Sequence, residues 1–198
     1  MKPIKTLILA SVLLASSLFA SPARATGTIA GKVEVTPAKY LSATVVHLKE
    51  VAGPYKAKTV TLDQKKMEFR PHVLVVTAGD SVKFLNSDGV DHNVNSPDGE
   101  TYNLGMFPKG ESRDHKFDKP GVYSQLCSVH PEMLGYVFVG QNPYAAVVDK
   151  KGHYTIKHVP PGKYQIAVWN GNSKLKAEEQ AIEVETGKTA KADFSLAK

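Results

Sequence analysis

The sequence predicts an all-β protein of the sandwich type. Short apolar or alternating runs recur along its 198 residues, and Gly, Pro, Asn and Asp separate them at short intervals. Turn signals this closely spaced are typical of β-sandwiches and barrels. Residues 172–180 are the one stretch with a pattern compatible with a short helix. We therefore expect strands almost throughout.

The first 25 residues have the pattern of a signal peptide. Lys2 and Lys5 precede an apolar, uncharged run over residues 6–19, and Ala23-Arg24-Ala25 fits a small-residue cleavage site. The apolar run is short for a membrane helix, and no later stretch is long and apolar enough to be one. The expectation is an exported protein, periplasmic or otherwise, without a membrane span after cleavage.

The strands follow from the apolar runs in chain order. The middle of the chain alternates between such runs and turn residues, which dominate residues 86–110 apart from a short H-N-V segment. The pattern predicts strands over residues 27–35, 43–48, 59–62, 72–76, 81–85, 112–117, 122–127 and 134–140.

The loop C-S-V-H-P-E-M, from Cys127 to Met133, contains three groups that bind metals. It offers a thiolate, the imidazole of His130 and a thioether within seven residues. Soft sulfur ligands favour copper, and two His, one Cys and a weak axial Met form the electron-transfer type of copper site. His92, in a polar loop after a strand, is the candidate for the second imidazole. Cys127 is the single cysteine, so an internal disulfide is excluded and ligation best explains it.

These two motifs resemble those of the cupredoxins, small blue copper proteins such as plastocyanin and amicyanin. The resemblance covers roughly residues 65–140, through H-N-V around His92 and C-x-x-H followed by Met. The short gap between His130 and Met133 is more similar to that of amicyanin. The resemblance implies a Greek-key β-sandwich that carries one type 1 copper and transfers electrons between redox partner proteins, without being an enzyme. It also implies a set of four metal ligands: His92, Cys127, His130 and Met133.

The same resemblance suggests roles for residues beside the ligands. Asn93 is expected to connect the two ligand loops, and Ser128 to place its backbone N–H near the sulfur of Cys127. Electrons are expected to leave through His130, which in cupredoxins projects through an apolar patch. Candidates for that patch are Met106, Phe107, Pro108 and Pro131.

The region after Gly140 has a second pattern. Residues 145–169 read as a hairpin turned at Asp149–Gly152, and their D-x-x-G-x-Y and V-P-P-G-x-Y segments resemble the carboxypeptidase regulatory-like, prealbumin-like β-sandwich. The opening strands of that family resemble residues 27–35 and 43–48 at the front of this chain. We therefore expect a cupredoxin domain over residues 63–140, inserted into a smaller, discontinuous sandwich of residues 27–62 and 141–198. A front strand pair that extends the cupredoxin sheet is the alternative.

Composition and spacing weigh against other functions. The net charge is +6, but no dense Lys/Arg run occurs, so nucleic acid is not an expected partner. Zinc favours Cys, His and carboxylate ligands over methionine, and a Cys–His protease would hold its two groups far apart in sequence. A copper-handling protein and a docking module with secondary copper remain alternatives. The absence of Met-rich or His-rich tracts favours electron transfer.

Overall fold

The computed structural model describes residues 25–197, and these residues form seventeen strands and one short 3-10 helix. The predicted all-β class is confirmed. The helix spans Ala38–Ala43. In chain order the strands are β1 Gly27–Val35, β2 Thr44–Leu48, β3 Thr59–Gln64, β4 Phe69–Arg70, β5 Val73–Thr77, β6 Ser81–Asn86, β7 His92–Ser96, β8 Tyr102–Phe107, β9 Ser112–Lys116, β10 Gly121–Leu126, β11 Leu134–Gly140, β12 Ala145–Val147, β13 His153–Val159, β14 Gly162–Asn170, β15 Gln180–Val184, β16 Thr189–Lys191 and β17 Phe194–Leu196.

The middle of the chain forms one sandwich, which we call the central sandwich. Its two sheets have the strand orders β4-β3-β6-β9 and β5-β11-β10-β7-β8. Alternate residues of each strand face inward, as in Val82 and Phe84 of β6 or Val137 and Val139 of β11, and are almost fully buried. This packing of two apolar faces holds the strand ends, and the loops between them, in fixed positions.

The two ends of the chain form a second sandwich, the terminal sandwich. In one of its sheets β1 lies between β13 on one side and β16 and β17 on the other, and the second sheet has the order β12-β2-β14-β15. Ile29 of β1, Val46 of β2 and Ile166 of β14 are buried in one apolar core. The front strands thus pair with strands from the end of the chain.

The predicted hairpin over residues 145–169 is wrong. Asp149–Gly152 do form the predicted turn, since the Asp149 carboxylate accepts backbone hydrogen bonds from Lys151 and His153 at 2.8 Å each. However, β12 pairs with β2, β13 pairs with β1, and β14 pairs with β2 and β15. The chain therefore passes from one sheet to the other at each turn. An alternating pattern shows which face of a strand is buried, but it does not identify the partner strand.

The predicted boundary at residue 63 assigned most of β3, Thr59–Gln64, to the terminal sandwich, but the structure places this strand in the central sandwich. It pairs in parallel with β6 over all six residues, from Thr59 with Ser81 to Gln64 with Asn86, so it belongs to the central sandwich. The junctions of the inserted segment are close together, because the Asn142 side chain donates to the backbone oxygens of Leu48 and Lys49 at 3.1 and 2.6 Å. Folding of the two end segments as one unit stays a prediction.

An aromatic cluster joins the two sandwiches. The ring of Trp169, on β14, lies 5.1 Å from that of Tyr136 and 6.1 Å from that of Phe138, both on β11. Val45 of β2 and Val73 of β5 are buried in the same cluster. One sheet of each sandwich therefore packs against a sheet of the other, which stacks four sheets.

Two further expectations concern helices and the leader. Residues 172–180 form a turn and an isolated bridge instead of a helix, with Leu175 buried in the terminal core. Among residues 25–197, no helix has the length and hydropathy needed to cross a membrane. The predicted signal peptide, apart from Ala25, lies outside the described residues.

Candidate metal centre

Three neighbouring strands position the predicted ligands at one end of the central sandwich. His92 begins β7, Cys127 follows β10 directly, and His130 and Met133 lie in the loop that leads into β11. β10 pairs with both β7 and β11, so it is the central strand of the three. Residues far apart in the sequence are thereby brought to one edge.

The structure brings three of the four predicted ligands into a compact cluster. The Sγ atom of Cys127 lies 3.9 Å from Nδ1 of His92 and 3.6 Å from Nδ1 of His130, and the two Nδ1 atoms are 3.0 Å apart. His92 is 0% exposed and Cys127 is 4% exposed, whereas His130 is partly exposed. Met133 is 1% exposed in the same core cluster as Cys127. Its backbone N–H donates to the His130 oxygen at 3.0 Å, which tightens the loop.

The donor set fits copper. Nε2 of His92 lies 2.9 Å from Oδ2 of Asp88, so this nitrogen carries the proton and the lone pair of Nδ1 faces the cluster. Two imidazole nitrogens and one sulfur then converge, and such a combination of borderline and soft ligands is suited to copper. The two Nδ1 atoms would both be ligands of a cation bound between them, which would offset the repulsion between their lone pairs.

Asp88 is the residue that orients His92, and sequence reasoning missed it. Its carboxylate also accepts backbone hydrogen bonds from Lys66 at 2.6 Å and Met67 at 2.9 Å. Burial acts to raise the pKa of Asp88, but the bonds from Met67, Lys66 and His92 outweigh it and hold the pKa below its ordinary value. The signal in the sequence was an acidic residue four positions before the candidate ligand.

The β3–β4 turn, which donates hydrogen bonds to Asp88, has an uncommon backbone conformation. Lys66 and Met67 both have positive φ values, 58° and 59°, although neither is glycine. This conformation directs their two N–H groups at one carboxylate. The turn thus belongs to the support of the metal centre.

The sulfur of Cys127 accepts a hydrogen bond from a residue other than the predicted one. The backbone N–H of Asn93 donates to Sγ at 3.4 Å, whereas the N–H of Ser128 is directed to Oδ1 of Asn93 at 3.3 Å. The predicted role of Asn93 matches this geometry, because its Oδ1 also accepts from the Ser128 hydroxyl at 2.8 Å. The side chain thereby ties the β7 end to the Cys127 loop.

The apolar surface around His130 differs in part from the predicted patch. Met106 is 45% exposed, and Pro108 and Pro131 are exposed, but Phe107 is 0% exposed and was wrongly included. Phe107 pairs with His92 across β7 and β8, and both side chains face the interior. Val90 and Val129, at 48% and 49% exposure, were missed. Val129 lies in the loop between Cys127 and His130, and Val90 lies two residues before His92.

The remaining histidines lie away from this cluster. His72 is exposed, with its ring 5.6 Å from that of Tyr136. Among the described residues, the single cluster of potential metal-binding His, Cys, Asp and Glu side chains is His92, Cys127 and His130.

Comparisons with known proteins agree with this geometry. Residues 56–140 match the family model for copper binding proteins of the plastocyanin/azurin family. Plastocyanin of Ulva pertusa is 30% identical over 78 residues, which cover 34% of this chain and 80% of that protein. Amicyanin-alpha of Methylorubrum extorquens is 31% identical over 78 residues, covering 37% of this chain and 66% of that protein, just under two thirds.

Solved structures that are similar to part of this chain include a purple cupredoxin from Nitrosopumilus maritimus. It is 28% identical, with a TM-score of 0.37, and the match covers 40% of this chain and 98% of that one. A Cu-containing nitrite reductase from Thermus scotoductus SA-01 is 29% identical, with a TM-score of 0.40, over 42% of this chain and 22% of that one. The end of the chain, residues 135–192, matches polysaccharide lyase family 4, domain II. The resemblance of this part to the carboxypeptidase regulatory-like sandwich stays a prediction.

The fold and the site thus define a cupredoxin with one mononuclear copper centre. The chain belongs to the plastocyanin/azurin family of copper binding proteins, and its cofactor is one copper.

Proposed function

We propose that this protein is an exported electron carrier, in which one type 1 copper is held by His92, Cys127, His130 and axial Met133. The observation that carries the proposal is the convergence of Cys127 Sγ and two imidazole Nδ1 atoms in a buried pocket. Bound copper would supply one-electron chemistry by cycling between Cu(I) and Cu(II). Neither a substrate nor an enzymatic reaction is part of this function.

The surrounding protein supports a site of constant geometry. Asp88 fixes the tautomer and the ring orientation of His92, and Asn93 holds the two ligand loops together. The N–H of Asn93 also stabilises negative charge on the sulfur. Ligands held in place by such neighbours need little rearrangement when the charge of the metal changes, which favours rapid electron transfer.

His130 is the proposed exit for electrons. It is the one partly exposed member of the cluster, and Met106, Val129 and Val90 expose apolar surface in the neighbouring segments. Exposed apolar groups close to a functional site are typical of a protein-docking surface.

The burial of the other ligands favours electron transfer over copper handling. Cys127, His92 and Met133 are at most 4% exposed, so copper exchange would require the ligand loop to open. A carrier that delivers copper must release it readily. An electron carrier benefits from retaining it.

The experiment that tests this function is visible absorption and electron paramagnetic resonance of the copper-loaded protein. We expect one bound copper and an intense Cu(II)–thiolate absorption band that disappears on reduction. Cys127→Ser should abolish the band, while Ser195→Ala, at an exposed position in the terminal sandwich, should keep it. A colourless Cu(II) adduct of the wild-type protein would contradict the type 1 assignment.

A further inference from the structure

A groove follows the crease between the two sandwiches, away from the metal centre. A first cavity of about 430 Å³ contains the aromatic side chains of His47, Phe138 and Trp169. A second, of about 450 Å³, lies on the other side of Trp169 and includes Tyr136. A third, of about 570 Å³, adjoins the first across Lys49 and Glu179, and its lining, which includes Tyr164, comes from the terminal sandwich alone. Because neighbouring cavities share lining residues, they adjoin one another in a row, and we call this row the groove.

The groove is electrically neutral overall. Its charged lining consists of three lysines and three carboxylates, and burial lowers the pKa of His47, so that side chain adds no charge at neutral pH. Lys49 and Glu179 form an ion pair at 2.7 Å, and Glu183, which is not part of the lining, lies 4.0 Å from Lys163. The charged lining residues are Lys49, Lys163, Lys176, Glu50, Asp98 and Glu179. This balance disfavours polyanions and polycations as ligands.

The lining combines aromatic rings with many hydrogen-bonding groups. Trp169 lines both of the first two cavities and Tyr136 lines the second, whereas Tyr164, at the third, packs against the terminal core. Gln141, Ser173 and Gln165 supply amide and hydroxyl groups to the first, second and third cavities, respectively. Aromatic faces pack against the C–H faces of sugar rings, while amides, carboxylates and lysines bond to their hydroxyl groups.

We propose that this groove binds a neutral oligosaccharide, with sugar rings placed against Trp169 and Tyr136. Concave sites at domain interfaces, with apolar walls and a few polar groups, are typical ligand sites. An elongated neutral ligand with many hydroxyl groups matches the shape, the charge balance and the hydrogen-bonding groups. Binding there would attach the chain to a glycan and leave the apolar surface around His130 free. This site is independent of the proposed electron transfer.

Intrinsic tryptophan fluorescence can be used to measure binding at this groove, because Trp169 is the single tryptophan of the chain. The test titrates the full-length protein, with and without copper, with maltohexaose, cellohexaose and N-acetylchitohexaose, and with the matching disaccharides. We expect saturable change in Trp169 fluorescence with at least one hexasaccharide. Its affinity should exceed that of the matching disaccharide by about tenfold or more, because a disaccharide fills one cavity only.

Variants locate the site. Gln141→Ala in the first cavity and Lys163→Ala in the third should each weaken hexasaccharide binding severalfold. Lys157→Ala is the matched control, because Lys157 is also exposed but lies on β13 in the outer sheet. Trp169→Phe, followed by calorimetry, should weaken binding further. If that variant fails to fold, the two groove variants still decide the question.

Three outcomes would overturn the proposal. The first is the absence of saturable binding to any of the three neutral hexasaccharides, by fluorescence and by calorimetry. The second is tighter binding of alginate or chitosan oligomers, which would show a site for charged polymers. The third is binding that neither groove variant weakens, which would place it elsewhere. Because copper-free protein is used alongside loaded protein, these outcomes are separate from failure of the electron-transfer function.

Discussion

At the scale of residues, the metal centre depends on side chains that do not themselves face the metal. Asp88 accepts from the ring of His92 and from two backbone N–H groups of the β3–β4 turn. Asn93 donates its N–H to the sulfur of Cys127 and accepts from Ser128. Such outer partners fix the orientation of the ligands and change their affinity for the metal.

Asp88→Asn should loosen this arrangement. The amide NH₂ would face groups that are themselves hydrogen-bond donors, so at least one bond is lost at a mostly buried position. We expect copper affinity to fall by about 10–100-fold, and the copper-free protein to lose roughly 1–3 kcal/mol of unfolding free energy. Copper competition titrations and urea unfolding measure the two effects. Asp91→Asn, at an exposed neighbouring position, is the control, and equal copper affinity in the two variants would exclude the orienting role.

Met133→Gln should change the reduction potential more than it changes copper binding. An axial thioether is a weak, long ligand, and an amide oxygen in its place stabilises Cu(II) relative to Cu(I). We expect one bound copper and a lower potential by voltammetry. Met106→Gln, which places the same change at an exposed position, should leave the potential nearly unchanged. Loss of all copper from Met133→Gln would instead make Met133 a primary ligand.

At the scale of elements, β11 connects the two sandwiches through its two faces. Val137 and Val139 are buried in the central core, whereas Tyr136 and Phe138 face the terminal sandwich. A strand covered on both sides reads as a continuous apolar run, as L-G-Y-V-F-V-G does. The terminal sandwich therefore covers a sheet face that would otherwise expose aromatic side chains.

The packing of β2 against β11 should make stability depend on pH through His47. The His47 ring lies 4.9 Å from that of Phe138, and burial is the main cause that lowers its pKa below 6.5. The unfolded chain then takes up a proton before the folded protein does. Stability should therefore fall as the pH decreases from neutral through the ordinary histidine value of about 6.5 towards the lower folded pKa.

Urea unfolding at neutral pH and at pH ~5 measures this dependence. Burial also lowers the pKa of His115, which adds to the pH dependence of the wild-type protein. The informative quantity is therefore the difference in pH dependence between the variants. His47→Gln should reduce the loss of stability at the lower pH, whereas His158→Gln, at an exposed position, should not. An unchanged pH dependence in His47→Gln would show that the ring is protonated equally in both states.

At the scale of the whole molecule, the front strands occupy central places in both terminal sheets. β1 lies between β13 and the pair β16 and β17, and β2 lies between β12 and β14. Removing them would leave strands without partners and an uncovered apolar core. The close junctions at Leu48–Lys49 and Asn142 allow the central sandwich to be inserted without disturbing these pairings.

A fragment of residues 141–198 should therefore fail to fold cooperatively. We expect poor amide dispersion, no sharp melting transition, and a tendency of its strand edges to aggregate. Residues 25–50 joined to 141–198 by a short glycine linker form the matched control, which should restore a cooperative transition. A sharp melt of the fragment alone would mean that the discontinuous-domain prediction is wrong, with no consequence for the metal centre.

The sequence by itself determined the features that are contiguous in the chain. Cys127, His130 and Met133 occupy one short loop, so their spacing was visible directly, and local periodicity identified nearly every long strand. His92 was proposed because a polar loop after a strand differs from the settings of the other histidines, and the structure brings it next to Cys127 and His130. The turn at Asp149–Gly152 was equally local.

Only the tertiary structure decided which strands pair and which groups approach the site from a distance. Backbone hydrogen bonds are alike for any partner strand, so the sequence did not reveal that β13 joins β1, or that β3 joins β6. For the same reason, the donor to the Cys127 sulfur proved to be Asn93, on a strand that reaches the site only through the pairing of β7 with β10. Side-chain spacing specifies local geometry, whereas contacts between distant segments depend on how the whole core packs.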